Sequence, residues 1–284
     1  MFIWLASYPK SGNTLLRSML AAYFFSEDGI YSFDLIKNIK QFPNITLFEK
    51  LGVDIRNEEE VVKNYIKVQE SFNNKDAVQF LKTHSYLFNI KNHGFTDLKN
   101  SLGSIYIVRD PRNVVTSYAN HTNITIEEAT DDLINLTQMG GDLKKTKGSE
   151  RTKVFTGTWN GNYNSWKSFK FQERYLLIKY EDLIKSKEKT FIEVLNFIHK
   201  LKKVNLEIDL NKIKNVIRTT DFLNMKKLEQ EVGFFESKID ENTGKKIPFF
   251  NLGEKNDWRK LLNIEIIKKI EKAFKKEMTE LGYL

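Results

Sequence analysis

The sequence contains no cysteine, and its 284 residues include only four histidines and four prolines. The absence of cysteine excludes disulfides, thiolate nucleophiles, iron–sulfur clusters and cysteine-built zinc sites. The histidines, at positions 84, 93, 121 and 199, are spread along the chain, so we expect no metal site. No apolar run reaches the ~18–20 residues that a membrane-spanning helix needs, and the apolar start lacks the basic segment of a signal peptide. We therefore expect a cytoplasmic protein with no membrane span.

Aromatic and positively charged residues, by contrast, are abundant. A hydrophobic content of 40%, with 21 Phe and 11 Tyr, is enough to build a core and excludes a disordered chain. Lys and Arg number 45 against 37 Asp and Glu, which leaves a net charge of +8. This excess indicates either an anionic ligand or no more than solubility. Because the cations are dispersed among the acids, we do not expect nucleic-acid binding.

The order of apolar segments predicts an α/β fold. Three short strand-like runs are each followed by a segment with helical spacing of apolar residues. The strands are predicted at 2–6, 104–108 and 175–178, and the helices at 14–25, 112–120 and 188–201. Strands that alternate with helices favour a central parallel β-sheet flanked by helices. No repeat, proline-rich linker or change of composition divides the chain, so residues 1–284 are predicted to form a single domain.

Two longer segments, at residues 140–157 and 230–246, are rich in glycine and charge and are predicted to be loops. Loops of this length in a compact domain are often lids over a ligand, but the sequence agrees equally well with ordinary surface loops. Trp159, Trp166 and Phe169 are spaced as one face of a helix, which favours a place in the core over the wall of an acceptor pocket.

The segment P-K-S-G-N-T at residues 9–14 lies between the first predicted strand and the first predicted helix. A glycine-containing turn at this place forms an anion site, because unpaired backbone N–H groups and the positive end of the helix converge there. The segment is not the nucleotide-binding P-loop, which has its lysine after the last glycine, whereas Lys10 precedes Gly12. It also lacks the glycine pattern of dinucleotide-binding folds. An ordinary strand-to-helix turn is the alternative.

Polar residues also follow two further strand-like runs. Arg109 comes directly after the strand at 104–108, at the end where open α/β sheets bind ligands, and Ser117 lies about two turns along the next helix. Together they predict a second site for a phosphate group. Lys82 and His84 follow a short apolar run in the same way, and histidine has the pKa range of a general base. A single histidine is more often structural than catalytic.

Taken together, these segments resemble the sulfotransferases of the cytosolic type, which use 3′-phosphoadenosine 5′-phosphosulfate (PAPS). The motif Y-P-K-S-G-N-T at residues 8–14 is similar to the family's 5′-phosphosulfate loop, and K-T-H at 82–84 to its catalytic motif. The segment 109–117 is similar to its 3′-phosphate segment. Further similarities are Y-E-D at 180–182, T-D-F-L-N-M at 220–225, Gly253, and D-W at 257–258. The matches keep the family order and cover essentially the whole chain.

The resemblance implies a single α/β domain with a P-loop-like phosphosulfate-binding loop and PAPS as co-substrate, without a metal. A sulfuryl group would pass from PAPS to a hydroxyl or amine of a small-molecule or saccharide acceptor. His84 is implied as the general base, with Lys10 and Lys82 stabilising the transferred group. Arg109 and Ser117 are implied to hold the 3′-phosphate. The other implied cofactor-binding residues are Ser11, Gly12, Asn13, Thr14, Tyr180, Thr220, Phe222, Met225 and Gly253.

The chain departs from the family pattern at two places in the cofactor site. Leu15 stands where many members have a tryptophan that stacks on adenine, and leucine provides apolar contact without ring stacking. Asn251 and Leu252 stand where members commonly have Arg-Lys before the glycine. The candidates to replace those two cations are Lys245, Lys246 and Lys255.

Two alternative functions stay open. The missing Arg-Lys pair leaves open a catalytically impaired relative that still binds the nucleotide. A nucleotide kinase of the P-loop type is the other alternative, although the order of Lys10 and Gly12 argues against it. Residues 259–268 do not reproduce the short C-terminal dimer motif of many cytosolic members, so the sequence makes no prediction of the oligomeric state.

Overall fold

The structure, a computed structural model, describes residues 1–74, 77–135, 154–205, 207–240 and 243–284, apart from the side chain of Glu254. The strands are β1 (Phe2–Ser7), β2 (Lys40–Gln41), β3 (Gln79–Thr83), β4 (Asn89–Ile90), β5 (His93–Gly94), β6 (Ser101–Val108), β7 (Tyr175–Lys179), β8 (Lys238–Ile239) and β9 (Lys246–Ile247). The α-helices are α1 (Asn13–Phe25), α2 (Ile45–Lys50), α3 (Glu58–Lys63), α4 (Tyr65–Phe72), α5 (Pro111–Thr122), α6 (Ile126–Asn135), α7 (Trp159–Trp166), α8 (Tyr180–Lys185), α9 (Lys187–Lys202), α10 (Leu210–Thr219), α11 (Phe222–Val232), α12 (Trp258–Leu261), α13 (Ile264–Ala273) and α14 (Lys275–Glu280). Short 3₁₀ segments span Leu35–Asn38, Lys167–Gln172 and Gly253–Lys255. Within the described ranges, none of the helices combines the length and the apolar composition needed to cross a bilayer.

Five strands form the central sheet, in the order β2-β3-β1-β6-β7, and each neighbouring pair is parallel. This arrangement confirms the predicted α/β fold with a central parallel sheet flanked by helices. The predicted strands appear as β1, β6 and β7, and the predicted helices as α1, α5 and α9. Two small antiparallel ribbons, β4 with β5 and β8 with β9, lie outside the central sheet.

Strand β1 contributes to a core on each face of the sheet. Phe2 and Trp4 belong to one core, and Ile3 and Leu5 belong to the other. All four side chains are fully buried, as expected for a parallel strand covered on both faces, whose side chains alternate with a period of two. Burial of one such large apolar side chain stabilises the fold by about 1.5–3 kcal/mol. An apolar run without polar interruption is therefore what this position in the sheet requires.

The aromatic stripe of α7 and of the 3₁₀ segment that follows it packs in the core, as its spacing predicts. Trp159, Trp166 and Phe169 join Trp4 on one face of the sheet. The indole Nε1 of Trp166 donates to the carbonyl oxygen of Ser85 at 2.9 Å. This bond ties α7 to the segment that immediately follows β3.

The two segments predicted as loops have different outcomes. Of residues 140–157, those up to 153 lie outside the described residues, and Val154 and Phe155 are buried. The described part of residues 230–246 is more regular than predicted, because β8 and β9 pair in an antiparallel ribbon. The ribbon closes through Gly244, whose N–H donates to the carbonyl oxygen of Asp240. Its φ of 66° is one that glycine adopts readily.

The register of the central sheet decides where the following loops meet. Ala6 of β1 is level with Thr83 of β3, and Val108 of β6 is level with Lys179 of β7. β1 and β6 are also paired up to the end of β1. Because the strands are parallel, the segments that follow β1, β3, β6 and β7 leave the sheet at one edge, where ligands of open α/β sheets bind.

Candidate active site

The edge at which β1, β3, β6 and β7 end opens into a cavity of about 280 Å³. All but one of the residues predicted for the site line this cavity, and the exception is Ser11. The lining residues from the prediction are Lys10, Gly12, Asn13, Thr14, Lys82, His84, Arg109, Ser117, Tyr180, Thr220, Phe222, Met225 and Gly253. Segments that are far apart along the chain therefore meet at one place, which a parallel sheet makes possible.

The loop of residues 9–14 turns sharply between β1 and α1. Lys10 and Gly12 both have a positive φ, of 64° and 102°. A Cβ atom on Gly12 would lie 2.4 Å from Cδ2 of Tyr180, so the absence of a side chain lets the tyrosine ring lie against the loop. Helix α1 begins at Asn13, and the first N–H groups of a helix have no partner within it. The loop thus has the backbone geometry of an anion site.

Two polar side chains are buried beneath this loop. Asn13 Nδ2 donates to the carbonyl oxygen of Leu5 at 2.9 Å and to Ser7 Oγ at 3.2 Å, which ties the loop to the end of β1. Ser11 Oγ is also buried but has no hydrogen-bond partner among the described residues. A buried hydroxyl without a partner costs free energy. Because Ser11 does not line the cavity, this hydroxyl is not placed to bond to a ligand there.

Arg109 leaves β6 at its carboxyl end and reaches across to the loop. Its Nη1 donates to the carbonyl oxygen of Lys10 at 3.2 Å, and its guanidinium carbon lies 4.3 Å from the centre of the Tyr180 ring. The next helix, α5, begins as predicted, with Asp110 as its N-cap and proline in its first turn. Ser117 on α5 lines the same cavity. A planar cation and a hydroxyl in one cavity suit a phosphate group.

His84 follows β3 and bonds to the end of β1. Its Nδ1 lies 2.9 Å from the carbonyl oxygen of Ser7 and 3.2 Å from Ser7 Oγ. A carbonyl oxygen only accepts, so Nδ1 carries the proton and Nε2 has a lone pair. Burial lowers the pKa of His84 to about 3, and the charge of Lys82 acts in the same direction. The imidazole is therefore neutral at physiological pH, the form in which it accepts a proton.

Lys10 points into the cavity, with its ammonium 3.9 Å from the centre of the Phe249 ring. Burial lowers the pKa of Lys10 to about 7, opposed by the charge of Glu236 and reinforced by Lys82, Arg109 and Lys238. The ammonium is thus close to its titration midpoint at neutral pH. An anion bound nearby would favour the charged form.

The other end of the cavity is closed by the segment around Gly253. This residue has a φ of 57°, and a Cβ atom on it would lie 2.4 Å from Cε1 of Phe222. Asn256 fastens the segment to α5, because its Nδ2 donates to the carbonyl oxygen of Asn113 at 2.9 Å. The glycine therefore lets the backbone pack directly on an aromatic ring that lines the cavity.

Two cations that the sequence analysis did not single out line the cavity. They are Lys187, in the first turn of α9, and Lys238, in β8. The lysines expected to replace the family's Arg-Lys pair do not line it in the part of the chain that the structure describes; those lysines are Lys245, Lys246 and Lys255, and all three are exposed. The side chain of Lys187 is only 14% exposed, and burial lowers its pKa.

A carboxylate, Glu236, is buried in the cavity wall among these cations. Its Oε1 accepts from Arg17 Nη1 at 2.6 Å and from Lys82 Nζ at 3.3 Å, and its Oε2 accepts from Thr14 Oγ1 at 3.1 Å. Burial raises the pKa of Glu236, but the charges and hydrogen bonds of Lys82 and Arg17 outweigh burial and hold the pKa well below its usual range. The carboxylate is therefore ionised at neutral pH.

A second buried carboxylate, Glu229 of α11, organises the same wall. It accepts hydrogen bonds from the backbone N–H groups of Phe249 at 2.8 Å and of Phe250 at 2.9 Å. It also accepts from Ser237 Oγ. The wall between α11 and Gly253 is thus fixed by buried polar bonds at both Glu229 and Glu236.

The comparison with known protein families agrees with this geometry. The sequence profile described as the sulfotransferase domain matches residues 2–282. The chain belongs to the sulfotransferase family. The flavonol 3-sulfotransferase of Flaveria bidentis is 22% identical to this sulfotransferase. The alignment, 293 residues long with its gaps, covers 99% of this chain and 82% of that protein. The 3-beta-hydroxysteroid sulfotransferase of Cavia porcellus is 26% identical over 180 residues, which cover 63% of this chain and 56% of that protein.

A solved structure supports the fold of this sulfotransferase. The crystal structure of a mouse sulfotransferase complexed with PAP, adenosine 3′,5′-bisphosphate, matches 97% of this chain and 83% of its own, with a TM-score of 0.60. The two sequences are 19% identical. At that identity the likeness shows that the two proteins share a fold.

Sequence reasoning missed Glu229, Glu236, Lys187 and Lys238 of this sulfotransferase. Glu236 and Lys238 lie in the stretch 230–246, which has no apolar periodicity to place them. The one available signal was Arg17, which follows two leucines in α1 and is buried. A buried arginine requires a carboxylate partner, but the sequence does not reveal which of the 37 acidic residues provides it.

Proposed function

We propose that this sulfotransferase transfers the sulfuryl group of PAPS to a hydroxyl or amine group of a small-molecule or saccharide acceptor, and that residues 1–284 act as one domain. The observation that carries the proposal is that a single cavity combines the anion-binding loop 9–14, Lys10, Lys82 and a histidine with an unprotonated Nε2. This set matches the needs of a transfer that moves one proton and builds negative charge on oxygen.

The residues of the cavity fit PAPS, which supplies an activated sulfuryl group when it is bound. The loop 9–14 offers the backbone N–H groups of Ser11 to Thr14, at the start of α1, to the 5′-phosphosulfate. Arg109 and Ser117 offer a cation and a hydroxyl to the 3′-phosphate. The residues proposed to contact the adenosine side are Tyr180, Thr220, Phe222, Met225 and the backbone at Gly253.

His84 is proposed as the general base for the acceptor. Its Nδ1–H is bound to the carbonyl oxygen of Ser7, so the proton of the acceptor hydroxyl would be received at Nε2. In the protein without a ligand, the pKa of His84 is about 3, so the imidazole is neutral but only weakly basic. Negative charge close to the ring raises that pKa toward the working pH, where a base is most effective.

Lys10 and Lys82 are proposed to stabilise the negative charge that develops as the sulfuryl group is transferred. Cations held in a buried cavity stabilise such charge more strongly than cations in water. Lys82 is 6% exposed and Lys10 is half-buried beneath Phe249. Anionic groups nearby would raise the pKa of Lys10 above 7 and so complete its charge.

The class of acceptor is proposed from the cavity wall and from the relatives. Gln41 and Thr156 are polar wall residues, whereas Val154 and Phe249 are apolar. Such a wall suits an acceptor that carries hydroxyl groups on an apolar body. The names of the two relatives above, a flavonol and a hydroxysteroid sulfotransferase, support the same class.

The first test is the thermal stability of the protein with PAP and, separately, with ATP plus Mg²⁺. A ligand at 100 times its Kd stabilises the folded protein by about 2.7 kcal/mol, so binding of PAP is expected to raise the melting temperature by several degrees. A response to ATP plus Mg²⁺ without a response to PAP would favour the nucleotide kinase and contradict our proposal.

The second test separates an active enzyme from an impaired relative. The protein is incubated with PAPS and with phenols, primary alcohols, saccharides and amines, and sulfated products are detected by mass spectrometry. We expect a product with a mass increase of one sulfuryl group. Binding of PAP without turnover of PAPS by any of these acceptors would favour the impaired relative.

A further inference from the structure

Arg17 and Glu236 form an ion pair in the wall of the cavity. Nη1 of Arg17 lies 2.6 Å from Oε1 of Glu236, and the two side chains are 3% and 9% exposed. Arg17 is part of α1, and its Nη2 also donates to the carbonyl oxygen of Ile39 at 3.3 Å. Because a buried charge that loses its partner is strongly destabilising, this ion pair fixes Glu236 to the helix that begins at the anion-binding loop.

The same carboxylate connects the loop to β3. Thr14, which donates to Oε2, is in the first turn of α1, and Lys82, which donates to Oε1, is two residues before His84. Glu236 therefore bonds both to the helix that begins at the anion-binding loop and to the strand that leads to His84. Two of its bonds come from α1, through Thr14 and Arg17, and one comes from β3, through Lys82.

The two cations paired with Glu236 lie at different N–O distances from its carboxylate, which indicates different roles for Arg17 and Lys82. The contact with Arg17 is 2.6 Å, whereas the contact with Lys82 is 3.3 Å. Arg17 thus provides the stronger partner, and the bond to Glu236 uses one of the three donors of the Lys82 ammonium. One carboxylate with two cations leaves a net positive charge, so Lys82 keeps its attraction for an anion.

We infer that Glu236 is a positioning residue of the transfer reaction: held by Arg17, its carboxylate fixes the ammonium of Lys82 and anchors residues 233–239 as a wall of the cavity. The inference rests on the proposed function, because it takes Lys82 to act on the transferred group. Glu236 acts through Lys82 and the wall.

Glu236 also supports the charge of Lys10. The groups that face the Lys10 ammonium are the Phe249 ring, Glu236, Lys82, Arg109 and Lys238. Burial is the main cause of its lowered pKa, and among these charged groups Glu236 raises that pKa while the three cations lower it. Loss of the Glu236 charge would lower the pKa of Lys10 further, so Lys10 would be neutral in a larger fraction of the molecules. A larger fraction would then take up a proton at Lys10 when an anion binds.

The test compares wild type with Glu236→Gln, and Glu229→Gln is the matched control. Both glutamates are buried and fix the same wall, but Glu229 accepts from two backbone N–H groups and a serine. Calorimetric titration with PAP at pH 7, in two buffers of different ionisation enthalpy, measures the protons taken up on binding. The turnover of PAPS is measured with the acceptor that wild type uses best.

We expect Glu236→Gln to take up more protons than wild type, to bind PAP within about threefold of wild type, and to turn over PAPS about 10–100-fold more slowly, as for a misplaced catalytic group. Glu229→Gln is expected to take up as many protons as wild type. Glu236→Asp keeps the charge but withdraws it by one methylene. Glu236→Asp should take up as many protons on PAP binding as wild type and should turn over PAPS more slowly. It is the variant to use if Glu236→Gln does not fold.

Three results would overturn the inference. The first is the same proton uptake and turnover in Glu236→Gln as in wild type. The second is PAP binding that becomes tenfold tighter or more in Glu236→Gln, because the carboxylate would then be competing with the nucleotide for the cations. The third is a wild-type protein that does not bind PAP, which overturns the proposed function as well and is thereby distinguished from the first two.

Discussion

The ring of Tyr180 lies so close to Gly12 that the Cβ of any other residue there would be 2.4 Å from its Cδ2 atom. The same ring lies beneath the guanidinium of Arg109, at 4.3 Å. One aromatic side chain thus connects the loop proposed to hold the 5′-phosphosulfate with the arginine proposed to hold the 3′-phosphate. The distance between the loop and Arg109 therefore depends on the absence of a side chain at Gly12.

The first prediction concerns this glycine. Gly12→Ala is expected to weaken PAP binding by tenfold or more, because a positive φ costs a non-glycine residue about 1–3 kcal/mol and because the new methyl group would displace Tyr180. Gly52→Ala is the control, since Gly52 has a similar φ of 70° with no atom of the described residues within 4 Å of its Cβ position. Calorimetric Kd values for PAP that are equal in both variants would contradict the prediction.

The second prediction concerns His84. Its replacement by alanine is expected to lower kcat by about 10²–10⁴-fold, the range for a lost general base, while the Kd for PAP stays within about threefold. His93, in the small ribbon β4–β5, provides the control substitution to alanine, with little change in kcat. A large loss of PAP affinity in His84→Ala, at unchanged kcat, would assign the residue to binding instead.

The third prediction is a pH dependence. Lysine is charged below its pKa, and burial lowers the pKa of Lys10 to about 7 in the free protein. The value of kcat/KM for PAPS, which reports groups of the free enzyme, is therefore expected to fall as the pH rises through about 7. Lys10→Arg stays charged at every pH in the range and should lose this fall between pH 7 and 9. A fall that is identical in the variant must arise from another group.

The fourth prediction concerns Lys187, which we propose as a substitute for the family's Arg-Lys pair. Lys187 lines the cavity beside Tyr180 and Phe222, and its ammonium lies 3.9 Å from the carboxylate of Asp221. Lys187→Ala is expected to raise the Kd for PAP about three- to tenfold and to make binding less sensitive to salt, because one cation near the nucleotide is lost. Lys255→Ala, an exposed lysine, is the control. Equal Kd values in the two variants would exclude a role for Lys187.

The fold was predictable from regularities that are local in the chain. In β1 every second side chain faces the same core, and both faces are buried, so the apolar run at residues 2–6 was enough to predict a strand inside a parallel sheet. The start of α5 was predictable for a similar reason, since aspartate caps the helix and proline occupies its first turn.

The candidate site was predictable in so far as it follows strand ends. Lys10, His84 and Arg109 come after three different strands, and parallel strands bring their carboxyl ends to one edge. The place of Lys187 in the cavity was not predictable in this way. Lys245 and Lys246 are nearer to Gly253 in sequence than Lys187 is, yet the β8–β9 ribbon leaves both exposed while the start of α9 turns Lys187 into the cavity.

The buried ion pair of Arg17 and Glu236 illustrates the difference between what the order of residues predicts and what depends on the folded structure. The alternation of strands and helices and the polar residues at strand ends are patterns of residues that are near one another in the sequence, so the amino-acid order sufficed to predict the fold and the residues that follow the strand ends into the cavity. The pairing of Arg17 with Glu236 depends on distance in space. Electrostatic interaction follows that distance and the burial around it. Only the tertiary structure therefore reveals that a carboxylate lies among the cations of the cavity. The same burial lowers the pKa of Lys10 to about 7, and the neighbouring cations keep Glu236 ionised.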